Sequence, residues 1–487
     1  MFTDKHALRT TRITSQVCHS WRNLMLATPT LWARLIDVDR ISHPWSDKWR
    51  DELMRRTGDA PLWIKANTFR PSMDMSEFLE IVRKNWHRIQ QLVVRGRCPS
   101  VDTLRLPLDV PAPLLDTFIV SLSHAMLAEV IEDAPLFGGY APMLRIFHFN
   151  NYVVGQGVPW LCRLNSLTLN GVYGICDIVA VLSEAHRLCD LQITNISFII
   201  GESVSSLPVV SLTHLKSLGY IGDPLPCVTL LDHIRIPSGC SLSVHIPTIS
   251  EGLDFTAAEA IITKFTCNAR RFLQTNIFEV VQLTYLPDCM ITFEGQTTFP
   301  VESTHNLTLP LYGSDAPEEL AMFLRQISSL DLSKTTALQL FTDKETLHPS
   351  FGQIFGSLPS LDTICVESHS LQFLMKLQND MDLTDQPDVI FPALRVITFI
   401  LVISDHRGRH IADQIAVAVK FIISRVKNGH PIAQLDMGDT LPFDGRHHLE
   451  ALSEVKDLEL IYTCSPETKV SESSWNDYDE EECIDMF

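Results

Sequence analysis

The sequence predicts an α/β fold: an irregular solenoid of short parallel strands with helical returns, preceded by a small all-α module. Three observations predict it. A six-residue pattern, apolar-x-x-apolar-x-apolar, recurs along most of the 487 residues. Stretches with apolar residues three and four apart lie between its copies, as helices require. Ahead of the first copy stands a tryptophan-rich stretch, Ile13 to Val38, whose spacing is helical throughout.

In the front stretch, Ile13, Val17, Trp21 and Leu24 follow one another at spacings of four, four and three, which places them on one face of one helix. Thr28-Pro29 then reads as a restart, with a hydroxyl N-cap and a proline at the first helical position. The second, short helix presents Leu31, Trp32 and Leu35. Two tryptophans and several aliphatics exceed what a lone helical pair can bury. They pack on the following domain or on another protein.

Further on, Trp45 to Arg56 reads as a helix with Gly58 as a left-handed C-cap. Leu62 to Lys65 reads as a strand. Met75 to Arg88 reads as a helix with Asp74 and Glu77 in a capping-box-like pair. Ile89 to Val94 is the first copy of the recurring pattern. Others begin at Leu115, Leu144, Leu164, Leu188 and Leu215, at intervals of 26, 29, 20, 24 and 27 residues, and the pattern returns at Thr335, Leu361, Leu394, Ile432 and Val455. Helical returns are expected over Ile178–His186, Pro226–Ile234, Ala257–Phe265 behind a Thr256/Glu259 capping box, Ala316–Gln326 behind Asp315, and Ile411–Asn428 ended by Gly429. The Ile411, Ile415, Val419, Ile422, Val426 stripe reads as core packing.

Intervals of 20–29 residues with this pattern match a leucine-rich-repeat solenoid. Alternate apolar residues of each strand point inward. The intervening ones line the outer face, and each repeat buries its apolar side only by stacking on its neighbours. The outward positions His148, Thr168, Gln192 and Gly219 are the candidate substrate-binding residues. Residues 237–330 blur the pattern, as degenerate repeats or an insertion, with strand-like pieces at Leu242–Ile246, Val280–Tyr285 and Thr304–Leu311. From Ser465 the pattern stops, and Glu472 to Asp485 holds seven acidic residues and no basic one, which reads as a solvated tail.

Composition narrows the function. The chain is 45% hydrophobic and 20% charged, with a net charge of −19 and no Lys/Arg block, so neither nucleic acid nor an anionic membrane is an expected partner. The densest apolar run, Val396 to Ser404, is strand length and far short of the ~20 residues that span a bilayer. The first residues contain no apolar core of a signal peptide, and the twelve cysteines include no C-x-x-C pair. Reduced thiols and a cytoplasmic or nuclear location follow. The triplets Asn195-Ile-Ser197 and Asn306-Leu-Thr308 then read as chance matches to a glycosylation site.

No chemistry-bearing motif stands out. A phosphate-binding G-x-x-x-x-G-K-[ST], a G-x-G-x-x-G and a G-x-S-x-G nucleophile elbow are all absent from the sequence. His447-His448 is a poor chelating pair, and Cys18-His19 reads as a packed thiol rather than an activated nucleophile. No enzyme, metal or cofactor is expected.

The front residues carry a family resemblance. Val17-Cys18-His19-Ser20-Trp21-Arg22, then Thr28-Pro29-Thr30-Leu31-Trp32, resembles the C-terminal half of an F-box, in the wording of the F-box-like proteins abundant in mushroom-forming fungi. The resemblance covers about 28 residues. It implies that Val17, Cys18, Trp21, Arg22, Leu31 and Trp32 lie in or behind helices that bind a Skp-type adaptor and, through it, a cullin. The Leu-Pro-x-Glu-Ile segment that opens an F-box has no counterpart before Ile13, where twelve mostly polar residues stand. Either the start is truncated or this version has lost part of its grip. The expected organisation is a partial F-box-like module at 1–40, a helical linker at 41–88, the repeats at 89–464 and an acidic tail at 465–487. The implied function is a substrate-recognition adaptor of a cullin-type ubiquitin ligase, with an unknown protein substrate on the repeats. The alternative is a non-ligase interaction scaffold whose helices only cap the solenoid.

Overall fold

The computed structural model describes residues 7–38, 47–67, 75–97, 106–123, 135–150, 152–171, 173–196, 207–247, 255–285, 290–297, 303–310, 317–342, 350–382, 389–401, 411–437, 449–452 and 455–461. They form a mixed α/β chain with extensive, mostly parallel strand pairing and, among the described residues, twelve α-helices. Two compact units result: Met1–Asn276 with Thr292–Leu330, and Ile277–Ile291 with Asp331–Phe487. The expected division at residues 40 and 88 is not where the contacts part. The helical front and the first ten paired strands belong to one unit. The expected tail, His447-His448, Asp74 and Asp315 lie outside the described residues.

The first unit opens with α1 (Ala7–Thr14), α2 (His19–Leu26), α3 (Pro29–Ala33), β1 (Ile36–Asp37), α4 (Asp47–Thr57), β2 (Leu62–Asn67) and α5 (Met75–Asn85). Then come β3 (Ile89–Arg97), β4 (Thr117–Ser123), β5 (Ile146–Phe149), β6 (Ser166–Asn170), α6 (Ile175–Glu184), β7 (Asp190–Ile196), β8 (Val210–Ser211), β9 (Ser217–Gly222), α7 (Pro224–His233), β10 (Ile234–Arg235), β11 (Ser241–His245) and α8 (Phe255–Leu273). After β12 (Val280–Tyr285), of the second unit, follow β13 (Met290–Thr297), β14 (Ser303–Pro310) and α9 (Pro317–Ser328). Among the described residues a parallel ladder runs in the order β1, β2, β3, β4, β5, β6, β7, β9, β11, β14. The short β8 and β10 pair with each other.

The recurring pattern sets the register. Its fourth position gives the matched row Leu92, Phe118, Phe147, Leu167, Leu191 and Leu218, every one buried. Phe118 and Phe147 stack at 5.8 Å, with Phe137 edge-on to Phe118 at 5.2 Å and Trp160 4.9 Å from Phe147. Each such side chain contributes about 1.5–3 kcal/mol by leaving water. Phe137 is held at φ 59°, a left-handed conformation that a bulky residue adopts only where packing compels it.

In the blurred stretch the pairing leaves sequence order. The next strand in sequence after β11 is β12, yet β11 pairs with β14, and β12 pairs with β15 (Ala337–Thr342). Thr256 lies inside α8, which starts at Phe255, so it is not that helix's cap.

The second unit pairs β12, β15, β16 (Thr363–Val366), β17 (Val396–Phe399), β18 (Gln434–Asp436) and β19 (Glu459–Ile461), again all parallel. Its helices are α10 (Phe351–Gly356), α11 (Ser368–Asp382) and α12 (Ile411–Lys427), with Gly429 beyond the last at φ 80°. Its buried row runs Val281, Leu338, Ile364, Ile397 and Leu435. Opposite Leu435 stands Leu460, not the expected Leu458, a shift of two residues. On α12, Ile415, Val419 and Ile422 are buried as expected, whereas Val426 is exposed and Arg425 takes the buried place beside it. Arg425 donates to the carbonyls of Ile390 (2.7 Å) and Phe391 (3.0 Å).

Candidate functional site

Two surfaces carry the candidate residues. At the front, the single helix expected over Ile13–Leu24 is two. The Ser15 hydroxyl donates to the Arg12 carbonyl at 2.7 Å, the chain turns, and Cys18 takes extended backbone as the N-cap of α2. Its Sγ accepts the Trp21 N–H at 3.5 Å. Cys18 is therefore an exposed capping thiol, not a packed one. The first helix also begins ahead of Ile13: α1 buries Leu8 and Thr11.

The four spaced residues, divided between the end of α1, the turn and α2, are each exposed. Ile13 is 53% exposed, Val17 70%, Trp21 50% and Leu24 65%. Arg22 is exposed too, its Nε 3.4 Å from the Ser15 carbonyl oxygen. Leu31 is half-buried, and Trp32 is buried completely. Trp32 Nε1 donates to the Met25 carbonyl at 2.7 Å, and Arg56 of α4 lies 4.7 Å over its ring. The same guanidinium sits 5.2 Å from Trp49 and 2.8 Å from Glu52. Hydrogen bonds from Arg55 and Arg56 hold the Glu52 carboxyl down to about 2. Trp32 thus belongs to the core joining α3 to α4 and cannot touch a partner. Thr28 also differs from expectation: its hydroxyl donates to the Leu24 carbonyl, closing α2 rather than capping α3.

The second surface is the outward side of the strands. His148, Thr168, Gln192 and Gly219 are register partners on β5, β6, β7 and β9, so the four stand in one row. The row extends to Asp37, Lys65, Val93 and Ile119 on one side and to Ser243 and Asn306 on the other. His148, Thr168 and Gln192 are partly exposed, but Gly219 is buried. A Cβ there would fall within the Gln192 amide, so Gly219 yields its place to its neighbour and offers no contact. His148 Nε2 lies 2.6 Å from Asn150 Oδ1, and Asn150 donates to Ser121 at 3.2 Å. Burial lowers the His148 pKa, against the Asn150 hydrogen bond, and Arg95 lowers it further. The centre of the face therefore offers neutral hydrogen-bonding groups.

Sequence reasoning missed the polar pair Asn150 and Ser121 because they lie past the six-residue pattern, Ser121 on β4 and Asn150 just beyond β5. Among the described residues, no group of three or more His, Cys, Asp or Glu could hold a metal ion, and no helix is long and apolar enough to cross a membrane. Compared with known proteins, the chain matches no family model and no curated protein.

Proposed function

We propose that the chain is a non-enzymatic substrate-recognition adaptor of a cullin-type ubiquitin ligase. In this reading α1 to α3 form an F-box-like module that binds a Skp-type adaptor, and the outward face of a leucine-rich-repeat-like ladder holds a protein substrate. The observation that carries it is the exposure of Ile13, Val17, Trp21 and Leu24 together. Exposed apolar residues grouped in this way mark an interaction site rather than a stable surface. Two surfaces on one chain act by proximity, raising the effective concentration of a substrate lysine at the ligase.

The test is capture of a purified recombinant Skp-type adaptor by the full chain. Capture is expected, with loss of at least tenfold in Trp21→Ala and Val17→Asp. Absence of capture by the unaltered chain sinks the ligase reading.

One observation favours the second reading, a scaffold whose front helices are a cap. Trp32 and Ala33 are buried in the packing of α3 on α4, as a cap requires. Under that reading Trp21→Ala changes nothing measurable in adaptor capture, because there is none.

A further inference from the structure

We infer that the outward face of β2 to β5 binds a partner segment that combines carboxylates with aliphatic side chains. The inference rests on the reading of the outward strand face as the partner surface, and names the chemistry of what it takes.

Register places Lys65, Val93, Ile119 and His148 side by side on four adjacent strands. One step before them along the strands, on the same face, stand Trp63, Gln91, Thr117 and Ile146; one step after, Asn67, Arg95 and Ser121. Lys65 and Arg95 are exposed, while Trp63, Val93, Ile119 and Ile146 are half-buried. Exposed Arg34 lies 4.6 Å over the Trp63 ring, adding a third cation at this end. Asp37, beside Lys65 in the row, offsets one of the three. Three cations around an apolar strip form a mosaic that a wholly acidic segment or a wholly apolar one fits only in part.

The rest of the face lacks that mosaic. The row continues as Thr168, Gln192, Gly219, Ser243 and Asn306, and the flanking positions on β6 to β11 hold no Lys or Arg. In the second unit the corresponding row is Gln339, Cys365, Thr398 and Asp436, again without a cation. In a chain of net charge −19, a local positive surface is the place where an acidic partner approaches without repulsion. Charge guides and selects such a partner, while the aliphatic contacts hold it.

The experiment uses the full chain and three fluorescein-labelled eight-residue peptides: alternating Asp and Ile, alternating Asn and Ile, and alternating Asp and Ser. Fluorescence anisotropy is read at low and at near-physiological salt. The Asp/Ile peptide binds best, by at least tenfold over either control, and binds more weakly as salt rises. Lys65→Glu with Arg95→Glu reduces its affinity at least tenfold, and Ile119→Ser several-fold. Gln339→Glu, in the second unit, leaves it unchanged. Thermal unfolding of each variant confirms folding, which substitutions at exposed Lys65 and Arg95 preserve. Equal binding of the Asn/Ile peptide, insensitivity to the double charge reversal, or absence of binding overturns the inference. Adaptor capture, measured separately, reports on the ligase reading: capture without peptide binding refutes this inference alone, and peptide binding without capture refutes the ligase.

Discussion

Across the strands β3 to β9 of the first unit, the fourth pattern position is apolar and hidden, with Leu92, Phe118, Phe147, Leu167, Leu191 and Leu218 in one sealed row. In the first two helices and the turn between them the equally regular apolar positions, Ile13, Val17, Trp21 and Leu24, face water. Both regions obey a period, yet only one has a neighbour to bury it. A strand's apolar side is covered by the flanking strands and by packed aromatics such as Phe137 and Trp160. The regular positions of the front helices are half or more exposed. The difference teaches that a period marks residues suited to burial, while burial itself depends on what covers them.

The sharpest way to break that comparison is within one module. Trp32 is buried with its Nε1 satisfied by Met25, so Trp32→Ala costs about 3–5 kcal/mol, as core Trp truncation does. Trp21 is half exposed, so Trp21→Ala changes stability by roughly 0.5 kcal/mol or less. Urea unfolding reads the first and adaptor capture the second. A large stability loss in Trp21→Ala would mean that the exposed face is, after all, part of the cap.

Acid probes the buried side. His305 takes an inward place on β14, its ring tilted against that of Phe272 at 4.3 Å, with Nε2 3.2 Å from Asn268 Oδ1. Burial lowers its pKa from 6.5 to about 3. The folded state therefore holds it neutral while the unfolded chain protonates it. Its contribution is complete above about pH 6.5 and is lost as pH falls toward 3. The loss amounts to about 2 kcal/mol by pH 5 at most. Unfolding at pH 7 and pH 5 measures it, and His305→Gln is expected to flatten that part of the profile. No such loss in the unaltered chain would show that His305 is less sealed than the ladder around it.

Between the two regions stands Gly58, at φ 50°, closing α4 against Pro29 of α3. A Cβ there meets Pro29 at an ordinary 3.7 Å, so Gly58→Ala is strained by the backbone alone and costs about 1 kcal/mol. Thermal unfolding reads it. A larger loss would show that the cap and the ladder unfold as one.

Which parts were legible follows from the same physics. The ladder's register was, because a slip of one residue would turn every Leu and Phe of the row into water. A slip of two turns nothing, which is why Leu458 and Leu460 could not be told apart in sequence and the structure pairs Leu460 with Leu435. The blurred stretch was illegible where β13 sets Gly295 and Thr297 at its inward positions, hiding the alternation of Ile291 and Phe293. The α1–α2 break was illegible because the Ile13–Leu24 spacing runs on at helical period. Short polar side chains decide it instead, with Ser15 and Cys18 bonding locally to the backbone. Of the candidate site, the row from His148 to Gln192 was legible. The burial of Gly219 was not, and for Trp32 the choice between the following domain and a partner was not, since each depends on a neighbour outside its own motif.

Cys18 allows the smallest and most local test. Its sulfur is a weak acceptor, 3.5 Å from the Trp21 N–H, at a position where a hydroxyl is the preferred group. Cys18→Ser places a better acceptor there and is expected to stabilise α2 by a few tenths of a kcal/mol, whereas Cys18→Ala removes the cap and costs about 0.5–1 kcal/mol. Hydrogen exchange at the Trp21 amide separates the two variants where global unfolding would barely resolve them. Adaptor capture adds a second reading of the same pair. If Cys18 only shapes α2, the serine variant captures as well as the unaltered chain and the alanine variant slightly less. If its thiol touches the partner, both variants lose equally, and the exposed face extends one residue beyond Val17 to the cap itself.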